Sequence, residues 1–320
     1  MKKSFKYLIA LIICLFLNTI VYADEILTLD KPVIQFNQIK HYGLQGYTVV
    51  KDKVFMVLEG HDDTNSIIKV YDLNTYKEVL SYDYGSLGHA NDVTYNSKNN
   101  KIYVIASGGS DIVYIFNGDT FKYEDSFNIG LPVRTITYID KLDRYAVRTV
   151  SSGFIYTNEF KLKSKFPFII GMNFSTEVGR QGWTYYNDFI YYASWSWVRY
   201  GGDGSNVLFV YDLSGNKLSN IYTSNDIGEL EGIDFYNNKM ILGFNGYDKT
   251  IKFYTSDIPK VEIPEEKIIV EEVKIVEKEN YTKYIVLWIG TILILVVIII
   301  IILRHKKKWL YNHFFIFDRN

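Results

Sequence analysis

One five-residue pattern recurs five times between residues 45 and 235, and it constrains the fold more than any other feature of the chain. In each copy, a polar residue is followed by a small or short polar residue, an apolar residue, Thr or Asp, and a mostly aromatic residue. The copies begin at Gln45, Asn91, Arg134, Gln181 and Glu231, at intervals of roughly 45 residues. A repeat of this length predicts a series of similar structural units.

Each copy is followed by further strand-like runs, such as Lys53–Leu58 and Ile67–Asp72 in the first unit. The runs are rich in β-branched and aromatic residues, and Asn, Asp, Gly and Lys separate them, which is typical of short strands joined by turns. Four strands in each unit predict an all-β, five-bladed β-propeller over residues 24–256. An open β-sandwich is the alternative, and the five in-phase copies make it less favoured.

The two ends of the repeat region predict how the ring closes. The fifth unit ends after its third strand, near Thr255, whereas the segment Ile26–Ile39 is a strand without a unit of its own. We expect this segment to pair beside Thr250–Thr255 as the outer strand of the last blade, because closure removes two exposed sheet edges.

Two phrases of the repeat resemble strand openings in a known superfamily. Gly88–Asn96 (GHANDVTYN) and Leu230–Ile233 (LEGI) are similar to segments of bacterial propellers with five to seven blades, which include lactonase-like, NHL-type and glutaminyl-cyclase-like members. The resemblance covers the repeat region and implies the fold. It implies little about activity, and the WD signature of WD40 blades is absent from the sequence.

The N-terminus has the form of a secretory signal. Lysines at positions 2, 3 and 6 precede an apolar stretch, Tyr7–Leu17, and a small-residue site ends at Ala23. We expect a signal peptide over residues 1–23, with an uncleaved anchor as the alternative. The sole cysteine, Cys14, lies in this stretch, so the exported domain would contain no disulfide.

The C-terminus predicts a membrane anchor. Residues 257–283 alternate Glu and Lys with Ile and Val, which is typical of a solvated stalk. Residues 284–303 are uncharged and long enough to cross a bilayer as a helix. The tail, residues 304–320, opens with a basic cluster, so we expect a single-pass plasma-membrane protein with its tail in the cytoplasm and the propeller outside.

Composition limits the partners. A formal net charge of −1 argues against nucleic acid as a partner, since nucleic acid requires a basic surface. Abundant Lys, Ile, Asn and Tyr suggests an AT-rich bacterial genome. The remaining candidates for an external partner are a glycan, a peptide or a protein.

Candidate ligand-binding residues follow from the predicted topology. The innermost strands of a propeller start around the channel, so Gln45, Asn91, Arg134, Gln181 and Glu231 are expected at one channel mouth. The longest loop predicted on that face is Trp195–Ser205. It would add aromatic surface and one charged donor, on which sugar rings or bases could stack and hydrogen-bond, through Trp195, Trp197, Arg199 and Tyr200.

Two other interpretations stay open at this point. The mouth residues could simply hydrogen-bond the backbone and plug the channel. Alternatively, Glu231 or Glu229 could be the acid or base of an anchored hydrolase, lyase or cyclase, with a cation such as calcium near His89 and Asp92. Zinc spacing, a P-loop and a nucleophile elbow are absent from the sequence, so binding is favoured over catalysis.

Overall fold

The computed structural model describes residues 24–38, 43–59, 65–85, 87, 89–106, 110–149, 153–166, 178–196, 204–224 and 226–261. The predicted signal peptide, the predicted transmembrane run and tail, and most of the predicted stalk lie outside these ranges. Within the described ranges, no helix has the length and apolar character needed to cross a membrane.

The described residues form twenty-one strands. The first two are β1 (Asp24–Leu27) and β2 (Ile34–Asn37). Blade 1 contains β3 (Gly43–Val50), β4 (Lys53–Glu59), β5 (Ser66–Asp72) and β6 (Glu78–Gly85). Blade 2 contains β7 (Asp92–Asn96), β8 (Lys101–Ile105), β9 (Ile112–Asn117) and β10 (Tyr123–Asn128).

Blade 3 contains β11 (Thr135–Ile139), β12 (Arg144–Arg148), β13 (Gly153–Thr157) and β14 (Leu162–Phe166), with the 3-10 turn Asp140–Leu142 after its first strand. Blade 4 contains β15 (Val178–Tyr186), β16 (Phe189–Ser196), β17 (Asn206–Asp212) and β18 (Lys217–Thr223). Blade 5 contains β19 (Gly228–Tyr236), β20 (Lys239–Gly246) and β21 (Thr250–Asp257). Each blade is an antiparallel meander whose innermost strand carries one copy of the repeated pattern or most of it, which confirms the five-bladed all-β fold.

Short turns join the first and second strands of each blade. In blades 4 and 5 these turns are the pairs Asn187-Asp188 and Asn237-Asn238, and all four residues have positive φ. Two consecutive left-handed residues form a type I′ turn, whose twist matches that of the flanking strands, and Asn and Asp tolerate that conformation. The polar turn residues in the sequence therefore lie where the chain reverses.

The ring closes as the sequence predicted, with one difference. β2 pairs antiparallel with β21, with Ile34 opposite Phe253, and so supplies the outer strand of blade 5. The segment predicted as one strand from Ile26 to Ile39 is in fact two strands, because β1 pairs in parallel with β18 and adds a fifth strand to blade 4. Pro32 lies between β1 and β2, and a proline has no N–H to continue a ladder.

Apolar side chains fill the spaces between neighbouring blades. In the described part of the chain, each of five buried clusters joins two adjacent blades, for example Val57 and Ile68 of blade 1 with Val93 and Val104 of blade 2. Each blade therefore buries both faces only when the ring is complete. After β21, Ile258 and Val261 still pack against the core shared by blades 4 and 5.

Candidate binding site at the channel mouth

The two faces of the propeller differ in their connections. The innermost strands start, and the second-to-third-strand connections lie, on one side, which we call the loop face. The tight turns after the first and third strands lie on the other side, which we call the turn face. Asn91 and Arg134 directly precede the innermost strands of their blades. Gln45, Gln181 and Glu231 are the third or fourth residues of theirs, so all five predicted mouth residues lie toward the loop face.

Three polar residues from blades 4 and 5 converge at the loop-face mouth. Gln181 Nε2 donates a hydrogen bond of 2.6 Å to Glu229 Oε1, across the boundary between the two blades. Glu231 is buried, and its Oε1 accepts a hydrogen bond from Asn245 Nδ2. The structure therefore brings together an amide donor and two carboxylates that the sequence had singled out separately.

The carboxylate of Glu231 is in an unusual electrostatic position. Burial, and then the neighbouring Glu229 carboxylate, raise the pKa of Glu231 well above its usual range, while the hydrogen bond from Asn245 opposes that change. A raised pKa favours the protonated form of a carboxyl, and that form can donate a hydrogen bond or a proton. A raised pKa on Glu231 is what the enzyme alternative requires.

Asn91 and Asp92 instead bind backbone groups. Asn91 Nδ2 donates to the carbonyl oxygen of Arg134 in the next blade, at 3.0 Å. Asp92 accepts hydrogen bonds from the backbone N–H groups of Val93 (3.0 Å) and Ile136 (2.8 Å), and more weakly from Trp183 (3.5 Å). These contacts favour the structural interpretation, in which the two residues link blades and fill the channel.

A glycine makes room for Asp92 in the channel. A Cβ at Gly182 would lie 2.7 Å from Asp92 Oδ1, so any side chain there would displace the Asp92 carboxylate. The second position of the pattern is small in three copies for this kind of reason, because the innermost strands approach one another closely around the axis. Burial raises the pKa of Asp92 well above its usual range, against the three N–H donors and the charge of Arg148.

The remaining predicted residues lie in varied positions. Gln45 is half-buried at a β-bulge of β3, and the Arg134 side chain is half-buried. Trp195 is half-buried on β16, and its Nε1 donates a hydrogen bond to the carbonyl oxygen of Gly204 at 3.2 Å. This hydrogen bond connects the two ends of the long loop. Trp197, Arg199 and Tyr200 lie outside the described residues.

His89 is half-buried, in an isolated bridge before β7. Among the described residues, no three His, Cys, Asp or Glu side chains are grouped closely enough to hold a metal ion. The calcium site near His89 and Asp92 stays a prediction.

Two residues important to this face were not singled out from the sequence. Arg148, at the end of β12, is 1% exposed, and its guanidinium carbon lies 5.0 Å from the ring centroid of Tyr192 in blade 4. Asn245 binds both Glu231 and the backbone of Leu44. The sequence did contain a signal for Arg148, because a charged residue at the end of an otherwise apolar strand is unusual. It contained no such signal for Asn245, because the contacts of Asn245 join residues far apart in sequence.

The turn-face end of the channel has a different lining. The fourth residue of every pattern copy lines a cavity of about 140 Å³. Four of these residues are threonines and the fifth is an aspartate: Thr48, Thr94, Thr137, Thr184 and Asp234. Tyr95, Tyr138 and Tyr185, the fifth residues of three copies, line the same cavity. The sequence showed the Thr-or-Asp position clearly but assigned it no role.

Comparisons with known proteins add little to this geometry. No family model matches the chain, and no curated protein is significantly similar to it. Among solved structures, the chain is similar to the WD40 repeats of RRP9, with 10% identity, a TM-score of 0.41, and coverage of 74% of this chain and 87% of that chain. A protein of unknown function from Bacteroides thetaiotaomicron VPI-5482 is similar at 10% identity and a TM-score of 0.42, over 72% of this chain and 75% of that one.

U3-55K has 9% identity and a TM-score of 0.41, over 73% of this chain and 87% of that chain. Structural similarities with such low identities and TM-scores do not indicate a function. The five-bladed fold rests on the strand pairing described above, and membership of the lactonase-like, NHL-type or glutaminyl-cyclase-like group stays a prediction.

Proposed function

We propose that this chain is a membrane-anchored, extracellular propeller that binds a ligand at its loop-face channel mouth, with carbohydrate as the favoured class and a peptide or protein as the next. The observation that carries the proposal is the contact of 2.6 Å between Gln181 and Glu229 beside the buried Glu231. Sugar hydroxyls both donate and accept hydrogen bonds, and a neighbouring amide and carboxylate offer both partners in fixed positions.

The long loop after β16 completes the proposed site. Trp195 holds the base of this loop, and Trp197 and Tyr200 follow it in sequence, so their aromatic surface would stand near the mouth. Stacking on one aromatic ring is worth about 0.5–1.5 kcal/mol beyond area burial, and a charged donor such as Arg199 about 1–3 kcal/mol when its partner would otherwise be unsatisfied. The location outside the cell rests on the signal-like N-terminus and the apolar run at 284–303.

The full chain, purified in detergent, should be tested on glycan and peptide arrays, and any hit measured by calorimetry. We expect Trp197→Ala to weaken binding several-fold and Arg199→Ala to weaken it more. Tyr247→Ala is the matched control, because Tyr247 is an exposed aromatic residue in a different connection of the same face. Unchanged affinity in both loop variants, with folding intact, would move the site away from this loop.

One observation favours a second function. The raised pKa of Glu231, caused by burial and by Glu229, suits a general acid in an anchored hydrolase, lyase or cyclase, and a calcium ion near His89 and Asp92 would assist it. The channel cavity on the turn face is lined by Asp234 and not by Glu231, so that cavity does not supply the substrate pocket. Turnover of an array hit that disappears in Glu231→Gln would place the chain among enzymes.

A further inference from the structure

In the described part of the chain, the carboxylate of Asp234 in the turn-face cavity has no ion-pair partner. Its Oδ2 accepts hydrogen bonds from Val49 N at 2.6 Å and from Thr48 Oγ1 at 2.9 Å. Its Oδ1 accepts one from Phe235 N at 2.8 Å and a weaker one from Thr184 Oγ1 at 3.4 Å. All of these donors are neutral, and within the described residues no Lys or Arg forms an ion pair with Asp234. A half-buried carboxylate without a counter-charge attracts a cation that can reach it.

Two threonine hydroxyls add acceptors to the same cavity. Thr94 Oγ1 accepts a hydrogen bond from Tyr138 N at 3.0 Å, and Thr137 Oγ1 accepts one from Tyr185 N at 2.9 Å. A hydroxyl has two lone pairs, so each of these oxygens keeps one for a ligand. The cavity therefore offers one charged acceptor and two neutral acceptors, from blades 5, 2 and 3.

The size and the walls of the cavity limit the ligand. A volume of about 140 Å³ holds roughly four or five water-sized groups, because one water occupies about 30 Å³ in the liquid. The phenol groups of Tyr95, Tyr138 and Tyr185 donate to polar residues of the adjacent turns, which fixes these rings in the wall. Aromatic rings attract cations, especially where little water remains.

We propose that this cavity binds a primary ammonium group on a short alkyl chain, presented either by a lysine side chain of a partner or by a free alkylamine. The three N–H donors of an ammonium group match the three acceptors, and its alkyl chain suits the tyrosine wall. This site lies at the opposite end of the channel from the proposed loop-face site and does not depend on it.

The binding should depend on pH through Asp234. Burial raises the pKa of Asp234 to about 6, so its charge is lost in mildly acidic solution. Among the described residues, the other titratable groups lining the cavity are Asp140 and the three wall tyrosines. Tyr47 does not line the cavity but interacts electrostatically with Asp234. Burial raises the pKa of all four tyrosines, so they stay neutral. Since about a tenth of Asp234 is ionised at pH 5, we expect roughly tenfold weaker binding there than at pH 8.

The experiment titrates n-butylammonium chloride into the full chain, by calorimetry and by the midpoint of thermal unfolding, at pH 8 and pH 5. Tetramethylammonium chloride, which has no N–H donor, controls for ionic strength. We expect saturable binding of n-butylammonium in the wild type and in Glu159→Gln, and its loss in Asp234→Asn. Glu159 is the matched control, because it is an exposed acid of the same face that pairs with Lys161 and does not line the cavity.

An equal response to tetramethylammonium, or an unchanged response in Asp234→Asn, would overturn the proposal. So would preferential binding of sodium or potassium, which would assign the cavity to a metal ion. If Asp234→Asn does not fold, a measurement on the wild type alone still tests the proposal. Carbon-13 NMR of the Asp234 carboxyl should show its titration midpoint fall when n-butylammonium is saturating, and an unmoved midpoint overturns the proposal.

A second arm distinguishes the two sources of the ammonium group. A short peptide with one accessible lysine should compete with n-butylammonium if the natural ligand is a side chain, whereas the same peptide with norleucine should not. Binding of n-butylammonium without competition by the lysine peptide assigns the cavity to a free alkylamine.

Discussion

The side-chain amide of Asn245 forms a pair of hydrogen bonds with the backbone of Leu44, 201 residues away in the chain. Leu44 N donates to Asn245 Oδ1 at 2.8 Å, and Asn245 Nδ2 donates to Leu44 O at 3.0 Å. The amide thus pairs with the innermost strand of blade 1 as a neighbouring strand would. Asn206 acts similarly between blades 4 and 5, binding Gly228 O at 2.9 Å and Leu230 N at 2.9 Å.

Asn245→Ala should therefore weaken the closure of the ring. The substitution leaves the backbone groups of Leu44 without their partners, and each unsatisfied buried group costs about 1–3 kcal/mol. Urea unfolding of the full chain measures the loss. Asn216→Ala is the matched control, because Asn216 is exposed and its side chain binds Asp212 within a local turn. Equal losses in the two variants would contradict the role of Asn245.

Ile34→Ala should destabilise the fold by about 2–5 kcal/mol, as expected when a buried isoleucine is truncated. Ile34 is 2% exposed and packs with Phe253 and Ile251, in the strand that completes blade 5. Ile26 in β1 is 78% exposed, so Ile26→Ala should change the free energy of unfolding by less than about 0.5 kcal/mol. Similar unfolding midpoints for the two variants would show that β2 does not close the ring.

Gly182→Ala should be destabilising because its Cβ would meet Asp92 Oδ1 at 2.7 Å. The cost should shrink when Asp92 is replaced by Gly, since the clashing carboxylate is then absent. A double-mutant cycle in urea measures this coupling, which we expect to be on the order of 0.5–3 kcal/mol for residues in contact. Additive losses would mean that the two residues do not meet in the channel.

Asp234 should make the protein less stable as pH rises. Its pKa is about 6 in the folded state against an ordinary 3.8, so the folded state binds more protons between about pH 4 and pH 6. Stability should fall through that window by up to about 3 kcal/mol, and Asp234→Asn should remove that fall. Urea unfolding at several pH values measures the free energy of unfolding of the wild type and of Asp234→Asn. Asp92 and Glu231 are present in both proteins, so their contributions cancel in the difference.

Asp143→Asn is the control for the pH experiment. A hydrogen bond from Tyr138 and one from Lys98 lower the pKa of the half-buried Asp143, so its contribution to stability is present above its unfolded pKa and is lost as pH falls. Removing Asp143 should thus change the pH slope in the direction opposite to that of Asp234→Asn. Parallel slopes for the wild type and Asp234→Asn would contradict the assignment.

Protease added to intact cells should remove the propeller and leave an anchored C-terminal fragment. This outcome follows from the basic cluster Arg304–Lys308 after the apolar run, because short basic segments stay in the cytoplasm. Immunoblotting with a C-terminal tag detects the fragment. A propeller that is protected until the membrane is broken would reverse the proposed orientation.

Much of the architecture could be predicted from the sequence because its causes are local. The period of the pattern, the strand composition and the polar turn residues each depend on neighbours in the chain, and together they indicated five blades and a closing N-terminal strand. The break between β1 and β2 was missed, although Pro32 signalled it, because the parallel partner of β1 lies in blade 4 and only the folded ring brings it near.

The sequence by itself determined which residues belong to the innermost strands, since their place in the repeat assigns them there. Only the tertiary structure decided what each of them does there. Asp92 fills the channel and Asn91 binds backbone, whereas Gln181 meets Glu229 and Asp234 joins a ring of hydroxyls. These contacts join residues 43 to 186 positions apart, and their geometry exists only when the five blades close around one axis.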